Sequence, residues 1–162
     1  MAATMRRVWL LLMLALAGCA NNAPTFDEVE PTLPRPPGTA RFIIYRNFEP
    51  NQSLSWVPVF IDRATVGAVG PGFVIVRDMP PGTYTLEAKS QGLWPGQAQT
   101  VTVEAGQTVY AKITSFRSRN PSSIGGTLQT TFVLNFVDPA LARQEIGRLW
   151  YEATARLRAL AG

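Results

Sequence analysis

The chain has 162 residues, of which 46% are apolar and 16% charged, so it can bury a core and is not a disordered protein. Its formal charge of +4 falls to +2 without the two arginines near the N-terminus, which is too small a basic excess to indicate nucleic-acid binding. A single cysteine excludes an internal disulfide and any CxxC motif, and the absence of histidine removes the commonest general base and metal ligand. No cofactor is expected.

The first eighteen residues, 1–18, are typical of a secretory signal peptide. Two arginines precede a continuous apolar run of ten residues (8–17), whereas a membrane-spanning helix needs about 20. The run ends in the sequence LAGC, which resembles the lipobox of bacterial lipoproteins. The resemblance implies cleavage between Gly18 and Cys19, a diacylglycerol thioether on Cys19 and an acyl chain on its new amine. The alternative is a cysteine that follows an ordinary signal peptide by chance.

The residue directly after the cysteine is Ala20. In the Gram-negative lipoproteins that this stretch resembles, an aspartate at that position retains the protein at the inner membrane. Ala20 therefore predicts sorting to the outer membrane, provided that the cell has two membranes. The membrane itself, bound through the lipid on Cys19, is thus the first predicted partner.

Residues 19–39 are predicted to form a lipidated N-terminus followed by a proline-rich tether. Five prolines lie between positions 24 and 37, and apolar residues are scattered. Prolines at this density favour an extended chain, and the nineteen residues 21–39 at about 3.1 Å each would span roughly 60 Å. The alternative is a proline-rich ligand for another protein.

Residues 40–137 are predicted to form a β-sandwich domain. Short β-branched and aromatic runs, several of which alternate between apolar and polar residues, are separated by turn residues. They predict seven strands, at 40–46, 57–62, 72–78, 84–90, 99–104, 108–115 and 127–137. Because one-sided strands must bury their apolar faces against a second sheet, the predicted fold class is all-β, an antiparallel Ig-like or transthyretin-like sandwich.

Three glycine-containing stretches are predicted to connect these strands. Pro81 and Gly82 favour a type II turn, because proline presets its φ and glycine accepts a positive φ. The sequence AGQ (105–107) predicts a tight hairpin. The stretch GAVGPG (67–72) lacks the strand–helix context of a phosphate-binding loop and is predicted to be a strand connection.

Residues 138–162 are predicted to form an amphipathic C-terminal helix that packs on the sandwich. Asp138 supplies a capping carboxylate and Pro139 suits the first helical position. Apolar residues then recur at a spacing close to 3.6. Trp150 is the predicted buried anchor. The alternative is an interfacial or partner-binding helix, because four arginines lie mainly between the apolar residues.

The stretches VPVFIDRATVGAV (57–69), MPPGTYTLEA (79–88) and VTVEAGQTVYAKI (101–113), followed by a C-terminal helix, resemble an uncharacterised bacterial lipoprotein family, domain of unknown function 2846. The resemblance covers about residues 40–155. Arg63 departs from it, because the family commonly has a small turn residue after the aspartate. The resemblance implies a sandwich fold and a lipoprotein context, and it carries no activity and no site residues.

The sequence does not indicate an enzyme. A nucleophile would need lysine or a carboxylate as its base, and Lys89 and Lys112 both lie on the polar faces of predicted strands. The alternative is a cell-wall or carbohydrate-active enzyme whose catalytic carboxyls are Asp62 and Asp78, about 5 to 9.5 Å apart in an open cleft. As turn-capping aspartates, the two would instead hydrogen-bond to nearby backbone.

Candidate partner contacts are Trp56, Leu93 and Trp94, which lie in predicted loops. Alternatively, these side chains fold over an open end of the sandwich. The sequence thus predicts a membrane-anchored envelope lipoprotein whose sandwich is a non-enzymatic binding or accessory module for an envelope protein. A secretion-apparatus lipoprotein with a transthyretin-like fold is a further alternative.

Overall fold

A computed structural model describes residues 23–49, 52–90, 98–119 and 128–152. It contains nine strands and two short helices within those ranges. The strands are β1 (Ala40–Arg46), β2 (Val57–Ile61), β3 (Ala64–Val69), β4 (Phe73–Met79), β5 (Gly82–Ala88), β6 (Gln99–Val103), β7 (Thr108–Arg119), β8 (Leu128–Val137) and β9 (Trp150–Tyr151). The helices are α1 (Phe26–Val29), which continues into a 3-10 helix (Glu30–Thr32), and α2 (Pro139–Ile146).

The strands form two open sheets that stack as a sandwich-like β fold. One sheet has the order β8-β7-β1-β4-β9 and the other the order β3-β2-β5-β6. All pairs of the four-stranded sheet are antiparallel. In the five-stranded sheet, β1 pairs in parallel with β7 and β4 with β9. The prediction of a sandwich-like β fold is therefore confirmed, whereas a purely antiparallel arrangement is wrong for this sheet.

Two strands were not predicted from the sequence, β3 and β9. β3 overlaps the stretch 67–72, whose glycines and alanine hide its alternation. β2 and β3 form a tight hairpin through Asp62 and Arg63, which both have positive φ (48° and 69°). Two successive positive φ values are typical of a type I′ turn, whose right-handed twist suits a two-residue hairpin.

The turns that the sequence predicts are used differently in the structure. The turn with proline and a positive-φ glycine is at Pro71 and Gly72 (φ 82°), closed by a hydrogen bond from Phe73 N–H to Gly70 O. Gly82 instead begins β5, so the predicted type II turn there is wrong. Residues 105–107 do form a turn, with Gly106 at φ 82°, but it joins β6 to β7 in the other sheet. The predicted hairpin is therefore an inter-sheet connection.

The main core lies between the two sheets and is built by alternate residues of the strands. β1 contributes Phe42 and Ile44, and β2 contributes Val57, Val59 and Ile61. The remaining strands add buried side chains that include Val69, Ile75, Leu86, Val103, Ile113, Phe132 and Leu134. Every residue of β1 is buried, which shows that the five-stranded sheet is covered on its outer face as well.

A second core covers the outer face of the five-stranded sheet. Phe26 of α1 is 1% exposed and packs with Ile43 and Val74, which point outward from the sheet. Ala142 and Ile146 of α2 are buried in the same cluster. Both helices thus lie on one side of the sandwich, and the hydrophobic effect of this second core holds them there.

The segment predicted to be a tether, 19–39, lies against the domain from Pro24 onward. Phe26 N–H donates to Leu149 O at 2.7 Å, and Tyr151 N–H donates to Pro24 O at 2.9 Å. Further along, the Arg41 side chain donates to Pro34 O at 2.7 Å. A free spacer can therefore include only residues 20–23, because the single buried phenylalanine of this segment anchors the remainder of it to the domain.

The C-terminal helix is confirmed, but it is shorter than predicted. Asp138 caps it by accepting the Ala140 N–H at 2.8 Å, as the sequence predicts. The helix ends at Ile146, and the chain then turns to form β9 beside β4. The helix stops there because the backbone of residues 150–152 forms hydrogen bonds with the sheet instead of continuing the helical pattern. Trp150 is 39% exposed and is not the predicted buried anchor. Residues 153–162 lie outside the described part.

A polar cluster fastens α2 to the sheet. The carboxylate of Glu145 accepts a hydrogen bond from the Tyr45 hydroxyl and an ion-paired hydrogen bond from Lys112 Nζ, both at 2.6 Å. Burial opposes ionisation of Glu145, but the bonds from Lys112 and Tyr45 outweigh it and lower the pKa of the carboxyl. Burial, together with the Glu145 bond, raises the pKa of Tyr45.

The lowered pKa of Glu145 predicts a loss of stability in acid. A depressed folded-state pKa contributes stability above the unfolded value of 4.5, and that contribution disappears as the pH falls through the folded-state pKa. We expect the free energy of unfolding to decline below about pH 5, and Glu145→Gln to flatten part of that decline. Denaturant titrations at several pH values would measure it. Glu104→Gln, in an exposed turn, is the matched control and should keep the full decline.

Candidate functional site

No described helix covers the outer face of the four-stranded sheet, because both helices pack on the other sheet. Paired threonines line it: Thr83 and Thr102 hydroxyls lie 2.9 Å apart, and Thr85 and Thr100 hydroxyls 3.2 Å apart. We call these four residues the threonine face. Cross-strand hydroxyl pairs of this kind stabilise a sheet while leaving its surface flat and polar.

A groove of about 500 Å³ adjoins the threonine face at the β2–β3 turn. Its lining residues are Asp62, Arg63, Thr85, Glu87 and Ala98. Asp62 is held in place, since it accepts the Thr85 N–H through Oδ1 at 2.8 Å and donates its own N–H to Thr85 O at 2.9 Å. The groove therefore presents acidic groups, a basic group and a hydroxyl. These groups can form hydrogen bonds with a partner whose own surface is polar.

The two carboxylates considered for catalysis do not share this groove. Asp62 follows β2 of the four-stranded sheet, whereas Asp78 lies in β4 of the five-stranded sheet. Asp78 is bound at both oxygens by Arg41, at 2.7 and 2.8 Å. A bidentate arginine of this kind fixes the position of the carboxylate and occupies its oxygens. Asp78 thus has a structural partner, and Asp62 supports the turn.

Of the three predicted contact residues, the structure describes only Trp56. Its indole ring is half-buried and packs on Phe73 with 4.7 Å between ring centroids. It also covers Gly70, where an added Cβ would come within 2.8 Å of the indole. Trp56 therefore packs against the main core. A partner contact through it stays a prediction. Leu93, Trp94, Gly18 and Cys19 lie outside the described residues.

Four exposed apolar side chains belong to segments that meet at the end of the sandwich where β1 finishes and β4 begins. They are Phe48 (64% exposed), Leu54 (71%), Phe116 (60%) and Trp150 (39%). We call this group the aromatic end. Sequence analysis missed it because Phe48 and Phe116 each stand alone in polar surroundings, and because helical spacing placed Trp150 in a core.

Arg46 lies beneath the aromatic end and is fully buried. Its guanidinium donates to Ser55 O at 2.9 Å, to Ser53 O and to Ser115 Oγ at 3.3 Å, and its Cζ lies 5.1 Å from the centre of the Phe132 ring. Burial lowers its pKa, and the charge of Glu49 opposes that shift. Arg46 thereby ties the loop before β2 to β1 and β7.

The described residues contain no group of three acidic, cysteine or histidine side chains that could hold a metal ion. Within the same part of the chain, neither helix is long and apolar enough to cross a bilayer. No protein-family model, curated protein or solved structure matches the chain. The resemblance to the lipoprotein family therefore stays a prediction.

Proposed function

We propose that the protein is a lipid-anchored bacterial envelope lipoprotein whose sandwich is a non-enzymatic binding or accessory module. The observation that carries the proposal is the sequence LAGC (16–19) directly after a ten-residue apolar run with a basic front. Sorting to the outer membrane, favoured by Ala20, is part of the proposal.

The finer description of the fold is an Ig-like or transthyretin-like sandwich. It is supported by the stacking of two sheets of similar size and by the repeated passage of the chain between them, from β1 to β2 and from β3 to β4. Such sandwiches commonly serve as binding modules in extracytoplasmic proteins. A fold of this kind does not determine a function, which depends on the residues of its surfaces.

A non-enzymatic role is supported by the chemistry of the described residues. The chain has no histidine, and Asp62 and Asp78 belong to different sheets. Binding to an envelope protein is supported by the threonine face, which no described helix covers, and by its groove, whose hydroxyl and charged groups can pair with a polar partner.

Loss of the anchor should follow from Cys19→Ala. Cells that make the wild-type protein and are fed a palmitate analogue should label it, and the protein should fractionate with membranes, because acyl chains supply its attachment. Cys19→Ala removes the only thiol, so labelling should vanish. Ala20→Asp is the matched control, since it should keep the label and move the protein to the inner membrane. Equal labelling of wild type and Cys19→Ala would contradict the proposal.

A partner on the threonine face should be captured by crosslinking in cells. A photo-crosslinking amino acid at Thr100, an exposed residue of β6, should yield a discrete adduct with an envelope protein. The same amino acid at Gln144, exposed on α2, is the control and should yield none. Gel mobility and mass spectrometry would identify the adduct. Adducts of equal yield at both positions would argue against this face as the binding surface.

A further inference from the structure

Three of the four sheet edges in the described structure are each bonded by another part of the chain. On β8, Ser90 Oγ donates to Phe132 O at 3.0 Å and accepts the Phe132 N–H at 2.9 Å, so both backbone groups of that residue are satisfied. Along β3, Arg77 Nε donates to Val66 O at 2.6 Å. β9 is covered by the N-terminal segment, through an antiparallel bridge made by Thr25. The fourth edge is β6.

Within the described part of the chain, the backbone of β6 is bonded only on the side of β5. Thr85 of β5 donates its N–H to Asp62 Oδ1 and accepts the Asp62 N–H, so both of its backbone groups point toward β2 and away from β6. Opposite residues of an antiparallel pair alternate between bonded and non-bonded, so Thr100, opposite Thr85, is not bonded to β5. Thr102 lies two residues further on and follows the same alternation. The N–H and C=O groups of Thr100 and Thr102 therefore point outward from the edge.

The sequence of β6 is self-complementary for antiparallel pairing. It reads QTVTV, with no charged residue and no proline, although exposed edge strands commonly carry one or the other. Thr100 and Thr102 flank Val101 symmetrically, so a two-fold axis beside Val101 places Thr100 of one copy opposite Thr102 of the other. Their outward groups would then form four backbone hydrogen bonds across the axis. A charge at the axis would face its own copy and repel it, and β6 has none.

We propose that two copies of this chain pair antiparallel through β6 about a two-fold axis, so that their two four-stranded sheets form one continuous sheet. Threonine hydroxyl pairs already join β5 to β6, and the new pairs of Thr100 with Thr102 extend those rows across the axis. On the inner face, Val101 is only partly buried against the main core, and Val101 of the second copy covers it. The pairing uses the backbone edge, so it needs no lipid and leaves the threonine face free for an envelope partner.

Disulfide trapping tests the pairing in membranes that hold the lipidated mature protein. In this register Val101 lies opposite its own copy in a non-hydrogen-bonded pair, where Cα atoms are about 4.5 Å apart and a disulfide can form. Val101→Cys should therefore give a disulfide-linked dimer on mild oxidation. Thr65→Cys, exposed on the edge strand β3, is the control and should give several-fold less dimer. Equal dimer yields from the two variants would overturn the pairing, and so would a Val101→Cys adduct with a different protein alone.

Two double variants test the register in the Val101→Cys background. Thr100→Lys with Thr102→Lys places like charges opposite each other twice, so the yield of dimer should fall several-fold. Thr100→Lys with Thr102→Glu places opposite charges at the same two positions and should keep the dimer. Thermal unfolding of each variant checks that its fold is retained. Equal dimer yields from the two double variants would show that the proposed pairing is wrong.

A failure of lipidation is recognised separately. An unmodified Cys19 would give disulfide-linked dimers in the wild-type protein, which would contradict the proposed function and not the pairing. Sedimentation in detergent under reducing conditions needs no thiol and decides the pairing in either case. We expect a dimer for the wild type and for Thr100→Lys with Thr102→Glu, and a monomer for Thr100→Lys with Thr102→Lys. A monomeric wild-type protein would overturn the pairing while the anchor stands.

Discussion

Replacing Arg46 with methionine is expected to lower the free energy of unfolding by about 3 kcal/mol. A hydrogen bond from a charged donor contributes about 1.5–3 kcal/mol, and a buried acceptor left without a partner costs about 1–3 kcal/mol. Methionine keeps much of the apolar stem, so packing changes little. The substitution removes the guanidinium that binds the carbonyls of Ser53 and Ser55 and covers the ring of Phe132. Ser53 is itself buried, and water cannot readily replace the arginine there.

Two further variants separate the charge of Arg46 from its geometry. Arg46→Lys keeps the charge, but one ammonium cannot reproduce the planar fork that bridges two carbonyls, so we expect most of the loss to remain. Arg117→Met is the matched control, because Arg117 is exposed and, within the described part of the chain, its side chain donates to Gln52 O alone. Urea unfolding followed by tryptophan fluorescence measures all three. A change below about 1 kcal/mol for Arg46→Met would contradict the role given to this residue.

Replacing Phe26 with alanine is expected to destabilise the protein by about 3 to 5 kcal/mol, the range for removing a buried aromatic side chain from a core. Phe26 is 1% exposed and fills the second core beneath α1 and α2. Its removal should also release the N-terminal segment, because few other apolar side chains hold residues 24–33 to the sheet. Protease cleavage within that segment should then become faster than in the wild type.

Phe48→Ala is the control for this prediction, since Phe48 is also a phenylalanine but is 64% exposed. It should change the free energy of unfolding by less than about 1 kcal/mol, because little of its surface is buried on folding. Urea unfolding and limited proteolysis of both variants measure the difference. An unchanged cleavage rate in Phe26→Ala would show that hydrogen bonds, and not the Phe26 side chain, hold the N-terminal segment to the domain.

The strand pattern of the domain was largely predictable from the sequence. Alternation in β5 and β6 and the β-branched run of β1 placed these strands within a few residues of where they lie, since a period of two directly reflects which side chains face a core. β3 was not predicted because Gly67 and Ala68 make the alternation of apolar and polar residues too weak to recognise. β9 was not predicted because its two residues are too few to show an alternation of apolar and polar side chains.

The pairing of the strands was not predictable in the same way. The sequence AGQ (105–107) has the composition of a hairpin turn, and it does form a turn, but β6 and β7 enter different sheets. A local turn preference describes the path of a few residues, whereas the partner of a strand depends on which distant strand completes its hydrogen bonds and its buried face. The parallel pairing of β1 with β7 has that origin.

The same distinction between local and long-range information applies to the candidate functional features. A ten-residue apolar run and the cysteine after it are local features, and the sequence alone determined the predicted anchor at Cys19 and the sandwich-like β class. Tertiary structure decided where the N-terminal segment meets the domain, because one buried side chain, Phe26, makes most of a proline-rich segment part of the domain instead of a spacer. It also decided that Phe48 and Trp150, about a hundred residues apart in sequence, lie together. Contacts between distant residues follow from the packing of the whole chain, and no local pattern encodes them.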